Sequence, residues 1–162
     1  DLWCGITANE RMDWLVEKAT ELGASSLLPI TAERSVLKLK GERSDKKLAH
    51  WQAIAVAASE QCGRNRVLQV ATPITLSQAI AASAPQSSGT RWILSLAEGT
   101  KSLQEALQAL PPQTPGQVQQ VTVLSGPEGG LSPAEEAEAL AAGFLATRLV
   151  FDLGPTFLAR DF

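Results

Sequence analysis

Apolar positions along the chain recur with two periods, and the way these alternate predicts the architecture. Within Glu10 to Leu22, the residues Trp14, Leu15, Lys18, Ala19 and Leu22 follow helical spacing. Asn9 is placed to cap that helix and Gly23 to end it. Ser26 to Ile30 reads as a short strand, and so brief a link between helix and strand marks an α/β unit. Residues 31–44 are polar and basic and read as a loop. Asp45 opens a helix to about Cys62, with Trp51, Ile54, Ala55, Ala58 and Cys62 on one face and His50 at its border. Gly63 stops it. A strand from Val67 to Val70, a turn at Pro73, a short helix from Thr75 to Ala82 and a core strand from Arg91 to Leu96 follow. Ser102 and Glu105 form a capping box for a helix through Leu110, and Pro111 to Gly116 reads as a surface loop. The last elements are a strand at Val121 to Leu124, a helix at Pro133 to Ala142 and a strand at Ala146 to Phe151. Residues 1–9 receive no assignment, and there is no internal repeat. The pattern predicts an α/β fold, a mostly parallel sheet with helices on both faces.

One junction stands out. Val121 to Leu124 is β-branched and apolar, as suits a strand covered on both sides. Gly126, Gly129 and Gly130 then surround Pro127 and Glu128, allowing a sharp turn and close approach of backbone to a ligand. Ser132, Pro133 and Glu135 supply a capping box with proline at the first helical position. In α/β proteins ligands sit at such carboxyl ends of strands. The carboxylate of Glu128 disfavours a phosphate, and neither P-loop nor G-x-G-x-x-G spacing is present. A ligand with an amine, a hydroxyl or a cationic centre suits this turn, as does the alternative of a tight connection with no ligand. Leu153-Gly154-Pro155 follows the next strand and would fall on the same sheet edge.

Charge and composition narrow the function classes. The chain has 162 residues, 44% of them hydrophobic, enough for one domain with a sizeable core. Its formal net charge of −3 conceals an asymmetry. From Arg34 to Arg66 eight basic residues stand against three acidic ones, net +5; elsewhere six basic face fourteen acidic, net −8. That segment is either an anion-binding face or a solvated helix surface. Cys4 and Cys62 match no metal or redox spacing, and a single histidine excludes a His-rich zinc site. No apolar run approaches the length of a membrane span and no signal peptide is visible, so a cytoplasmic location is expected. The first residue is not methionine, which suggests a piece of something longer.

Five motifs in order carry a resemblance: Arg11 to Gly23, Glu33 to Val36, Glu60 to Arg64, Ser125 to Pro133 and Leu153 to Pro155. Together they resemble the RsmE family, bacterial methyltransferases acting on N3 of a uridine in 16S ribosomal RNA of the small subunit. The resemblance implies that residues 1–162 form a SPOUT-type domain with a C-terminal deep trefoil knot. It also implies S-adenosyl-L-methionine as cofactor and a homodimer. Leu96, Leu124, Gly126, Pro127, Glu128, Gly129, Gly130, Leu153, Gly154 and Pro155 are the implied cofactor contacts, with Glu98 a neighbour. Arg34, Lys38, Arg64 and Arg66 are implied RNA contacts. Arg34, Arg64 and Glu128 are the candidates for catalysis, although no base is evident. Alanine at Arg34 or Arg64 is expected to weaken RNA binding and spare the cofactor. The family's N-terminal PUA-like RNA-binding barrel is not recognisable here. Thr156 to Phe162 also departs from the family's Arg-Ile/Val-Leu-Arg-x-Glu-Thr-Ala after Leu-Gly-Pro, for which residues missing from the end are the favoured explanation. The alternatives are a SPOUT methyltransferase acting on tRNA and a non-enzymatic nucleic-acid-binding α/β module.

Overall fold

The computed structural model describes residues 1–37, 39, 41–83, 89–97, 99–110, 112 and 118–149. The strands are β1 (Leu2–Gly5), β2 (Ser26–Ile30), β3 (Gln69–Val70), β4 (Thr90–Leu94), β5 (Lys101–Ser102), β6 (Val121–Ser125) and β7 (Leu145–Arg148). Between them lie α1 (Asn9–Leu22), α2 (Glu42–Cys62), α3 (Leu76–Ser83), α4 (Leu103–Gln108) and α5 (Pro133–Ala141). The strands form one sheet in the order β3-β2-β1-β6-β4-β7-β5, and each of its pairings is parallel.

Successive side chains of each strand serve opposite faces, and two cores result. Cys4 and Leu27 join Met12, Val16, Trp51 and Ala55 under α1 and α2. Their neighbours Trp3 and Ile30 join Ile93, Leu124, Leu76, Ala139 and Phe144 under α3 and α5. Trp3 and Phe144 pack with tilted rings 5.4 Å apart. Both faces are therefore covered, as predicted. Right-handed crossovers explain the division: β1, β2 and β3 step one way across the sheet, whereas β3 to β4 and β6 to β7 step back.

The N-terminal stretch that the pattern left unassigned is β1, and it lies between β2 and β6. Its run Leu2-Trp3-Cys4 before Gly5 is short and buried on both faces, so it shows no alternation of polar and apolar positions. The predicted face of α1 holds at Ala19, which is buried, and at Leu15, which packs against the core, but needs correction elsewhere. The residues buried against the sheet are Met12, Val16, Ala19 and Thr20, while Trp14 is 63% and Leu22 83% exposed. The Thr20 hydroxyl donates to the Val16 carbonyl oxygen at 2.8 Å, which allows its burial. Asn9 is not the cap: Ala8 holds that position and no side chain on the helix caps it. Helix α2 starts at Glu42 rather than Asp45, and Cys62 is exposed rather than part of its buried face. Asp13 ties the two helices together, accepting from the Trp51 indole N–H at 3.1 Å and lying 2.9 Å from His50 Nε2. His50 itself is exposed, at the border of the helix face as expected. Strands β3, β4 and β7 end or begin within a few residues of their predicted bounds; Phe151 and all of the predicted loop Pro111 to Gly116 except residue 112 lie outside the described residues.

The corrected face of α1 makes an ordering testable by urea denaturation. Met12→Ala should destabilise the protein by about 2–5 kcal/mol. Trp14→Ala should stay within about 0.5 kcal/mol of wild type.

Candidate ligand cleft at the carboxyl edge of the sheet

Because every strand runs the same way, the segments after β4 and β6 emerge on one edge. They enclose a cleft of about 600 Å³ lined by residues 93–97, 125–131 and Glu136. That size suits a small-molecule ligand. Leu96, Gly126, Pro127, Glu128, Gly129 and Gly130, all predicted, line it. Leu124 does not: it is fully buried in the core beneath the turn. Lys38, Glu98, Leu153, Gly154 and Pro155 lie outside the described residues.

Close approach of backbones shapes the turn. A methyl group built on Gly5 would meet Pro127 Cδ and N at 2.4 Å, and one on Gly126 would meet Leu131 N at 2.7 Å. Neither neighbour is a flexible side-chain end, so β1 and the turn fit together only with glycine at both positions. The turn is closed by the Gly130 N–H donating to the Pro127 carbonyl oxygen at 2.8 Å, with Gly130 at φ +71. After it, Ser132 and Glu135 form the predicted capping box with Pro133 at the helix start.

Three side chains, those of Glu128, Arg11 and Arg34, anchor the turn to its surroundings. Glu128 Oε1 accepts from the Ala8 N–H at 3.0 Å, so a residue 120 positions away stabilises the start of α1. Arg11 Nη1 stands 3.5 Å from the same oxygen. Arg34 Nη1 donates to the carbonyl oxygens of Gly129 at 3.0 Å and Leu131 at 3.4 Å. The Glu33 N–H also donates to Glu135 Oε1 at 2.9 Å, fastening the Arg34 loop to α5. Hydrogen bonding from the Ala8 N–H, the turn's own backbone and the charge of Arg11 hold the Glu128 carboxyl below its ordinary pKa against opposing desolvation.

Arg64 and Arg66 are elsewhere. They line a separate hollow of about 500 Å³ with Gly23, Ser25, Val67 and Gln69, at the amino ends of β2 and β3. Arg64 Nε donates to the Glu21 carbonyl oxygen at 2.9 Å. The structure therefore brings Arg34 to the turn and separates Arg64 and Arg66 from it by the length of a strand.

Sequence reasoning placed Leu96 on the opposite wall but missed Ser95 and Glu136. The Ser95 hydroxyl donates to Glu136 Oε1 and accepts from the Ala97 N–H at 3.1 Å, which fixes the bend after β4. The available signal was helical spacing: Glu136 lies three residues before Ala139, the buried position of α5. Among the described lining residues the ionisable groups are Glu128 and Glu136, both acidic. Among the described residues no cluster of His, Cys, Asp and Glu could hold a metal, and no helix is long and apolar enough to cross a membrane.

Residues 1–158 match the family described as the RNA methyltransferase domain. The chain belongs to this family. Relatives include the ribosomal RNA small subunit methyltransferase E of Bacillus subtilis, 31% identical over 132 residues that cover 81% of this chain and 50% of that protein. The protein of the same name from Mycobacterium tuberculosis is 31% identical over 153 residues, covering 94% and 55%. The chain thus spans about half the length of these relatives. Among solved structures, ribosomal RNA small subunit methyltransferase E of Neisseria gonorrhoeae, bound to S-adenosylmethionine, superposes with a TM-score of 0.76 at 35% identity, over 92% of this chain and 57% of that one. A methyltransferase of Legionella pneumophila in complex with the same cofactor superposes at 0.78 with 30% identity, over 98% and 62%. Family membership agrees with the parallel α/β fold and with the resemblance carried by the five motifs.

Two measurements check the site's construction. Gly126→Ala should lower thermal stability and disrupt the cleft, whereas Gly129→Ala, whose methyl would come no nearer than 3.4 Å to Arg34, should be far milder. Since folding lowers the Glu128 pKa, its stabilising effect is complete above the ordinary glutamate range and disappears as pH falls through the lowered value. The stability difference between wild type and Glu128→Gln should accordingly shrink on acidification; a gap that widens would contradict this.

Proposed function

We propose that the protein is an S-adenosyl-L-methionine-dependent methyltransferase that modifies N3 of a uridine in 16S ribosomal RNA of the small subunit. The observation that carries this reading is the cleft: backbone of two strand ends and a glycine turn, with acidic and no basic groups among its described lining residues. Such a lining suits a cationic ligand and rejects a polyphosphate. S-adenosylmethionine has both a sulfonium and an ammonium, and two structural neighbours were solved with it. The names of the relatives supply the class of acceptor.

When bound, the cofactor supplies a methyl group on a sulfonium. Uridine N3 would form the new N–C bond as the C–S bonding pair stays on sulfur, and its proton would pass to solvent water. The chain's residues act chiefly by positioning and electrostatics. Gly126, Gly129 and Gly130 admit the ligand to the backbone. Glu128 is already engaged by Ala8 and Arg11, so it organises the turn and does not serve as the proton acceptor. Arg34, anchored on the outer side of the turn, is placed to meet the acceptor phosphate or the developing uridine anion. Arg64 and Arg66 contact RNA at a second point, beyond the other edge of the sheet. In this reading Lys38 extends the basic surface, and Leu153, Gly154 and Pro155 complete the pocket as part of a C-terminal trefoil knot. The working form is a cytoplasmic homodimer.

The test is methylation of small ribosomal subunits by the full-length protein, with mass-spectrometric mapping of the product, alongside calorimetry with S-adenosylmethionine. A single N3-methyluridine in 16S RNA is expected. Arg64→Ala should keep cofactor affinity and reduce the salt dependence of RNA binding by roughly one unit of slope. Arg34→Ala, which also frees two carbonyls of the turn, should weaken both. Cofactor binding without methylation of any RNA would overturn the assignment.

A further inference from the structure

Two adjacent glutamates open α5 and face different ways. Glu135 is fully engaged: Oε2 accepts from the Ser132 N–H at 2.9 Å and Oε1 from the Glu33 N–H. Glu136, about 100° further round the helix, lines the cleft. Its Oε1 is held by the Ser95 hydroxyl, and Ser95 is itself buried and fixed through the Ala97 N–H. That leaves Oε2 with no protein donor among the described residues. The other carboxylate of the cleft, Glu128, is turned toward α1 and Arg11. The cleft therefore contains one pre-oriented, half-satisfied carboxylate, and no described lining residue is basic.

We propose that Glu136 is the specificity-determining residue of the cleft, its Oε2 receiving a cationic centre of the ligand, with Ser95 the positioning residue that aims it. This rests on the reading of the cleft as the S-adenosylmethionine site. With one oxygen held by Ser95, the other is left open to solvent and free to pair with a ligand cation. The cationic centre is either the ammonium or the sulfonium, the two positive groups of that cofactor. Because the bend 95–97 is held by the same serine, the carboxylate is positioned before the ligand arrives.

The experiment is calorimetry on the full chain with three probes: S-adenosylmethionine, S-adenosylhomocysteine, which keeps the ammonium and lacks the sulfonium charge, and 5′-methylthioadenosine, which lacks both. Glu136→Gln should weaken S-adenosylmethionine by about tenfold or more, as for loss of a charge-assisted bond. It should leave methylthioadenosine within about twofold, since that ligand presents no charge for Glu136 to meet. A parallel loss with S-adenosylhomocysteine identifies the ammonium as the partner; a loss confined to S-adenosylmethionine identifies the sulfonium. Glu136→Ala repeats the measurement, and in both variants the ratio of two affinities within one sample cancels any loss of folded protein. Equal weakening of all three probes, or none, overturns the proposal. Failure of the wild-type protein to bind any of them overturns instead the reading of the cleft on which it rests.

Discussion

The contact between Gly5 and the Gly126-Pro127 backbone is the constraint on which the rest depends. A parallel sheet carries its strand ends to one edge, but it does not decide how closely the connecting segments pack there. Here β1 runs beside β6, and the absence of a side chain at Gly5 lets the turn fold back over the end of β1. The turn's outer flank is then within reach of α1 and of the Arg34 loop, while its inner flank faces the bend after β4. Cleft, helix start and arginine loop all follow from one close approach.

Around that contact charge is segregated. The interior of the cleft presents carboxylate, whereas Arg11 and Arg34 sit against the outside of the same turn. Neither arginine is a free surface charge, since each rests on an acceptor that the turn provides. Under the proposed function such a division would let a single short loop serve two ligands of opposite sign, a cation within and a polyanion without, with a few residues of backbone between the two fields.

Much of this was legible in the sequence, for identifiable reasons. Both capping boxes announce themselves through fixed residue types at fixed spacing, and the structure has both. Gly23 and Gly63 end their helices in the left-handed conformation that favours glycine. What failed was reasoning from size and proximity. Trp14 and Leu22 are large and helically spaced, yet the sheet takes the smaller Val16 and Thr20 beside Met12 and the predicted Ala19. Asn9 has a capping side chain, yet the actual partner of the helix start is Glu128, over a hundred residues away and invisible to local rules. Arg34 and Arg64 belong to one basic segment, but the crossover helix α2 runs between them and leaves them at opposite edges.

Glu135 closes the capping box of α5 with one oxygen and holds the Glu33 N–H with the other. A single side chain is thus both a helix cap and the tether of a loop that bears an arginine. Genetic and biochemical assays would see these roles as one. A substitution there that lowers RNA affinity does not implicate Glu135 in touching RNA, and one that lowers the melting temperature does not exempt it from function. Local stability and the placement of Arg34 share a carboxylate, so selection on either is selection on both.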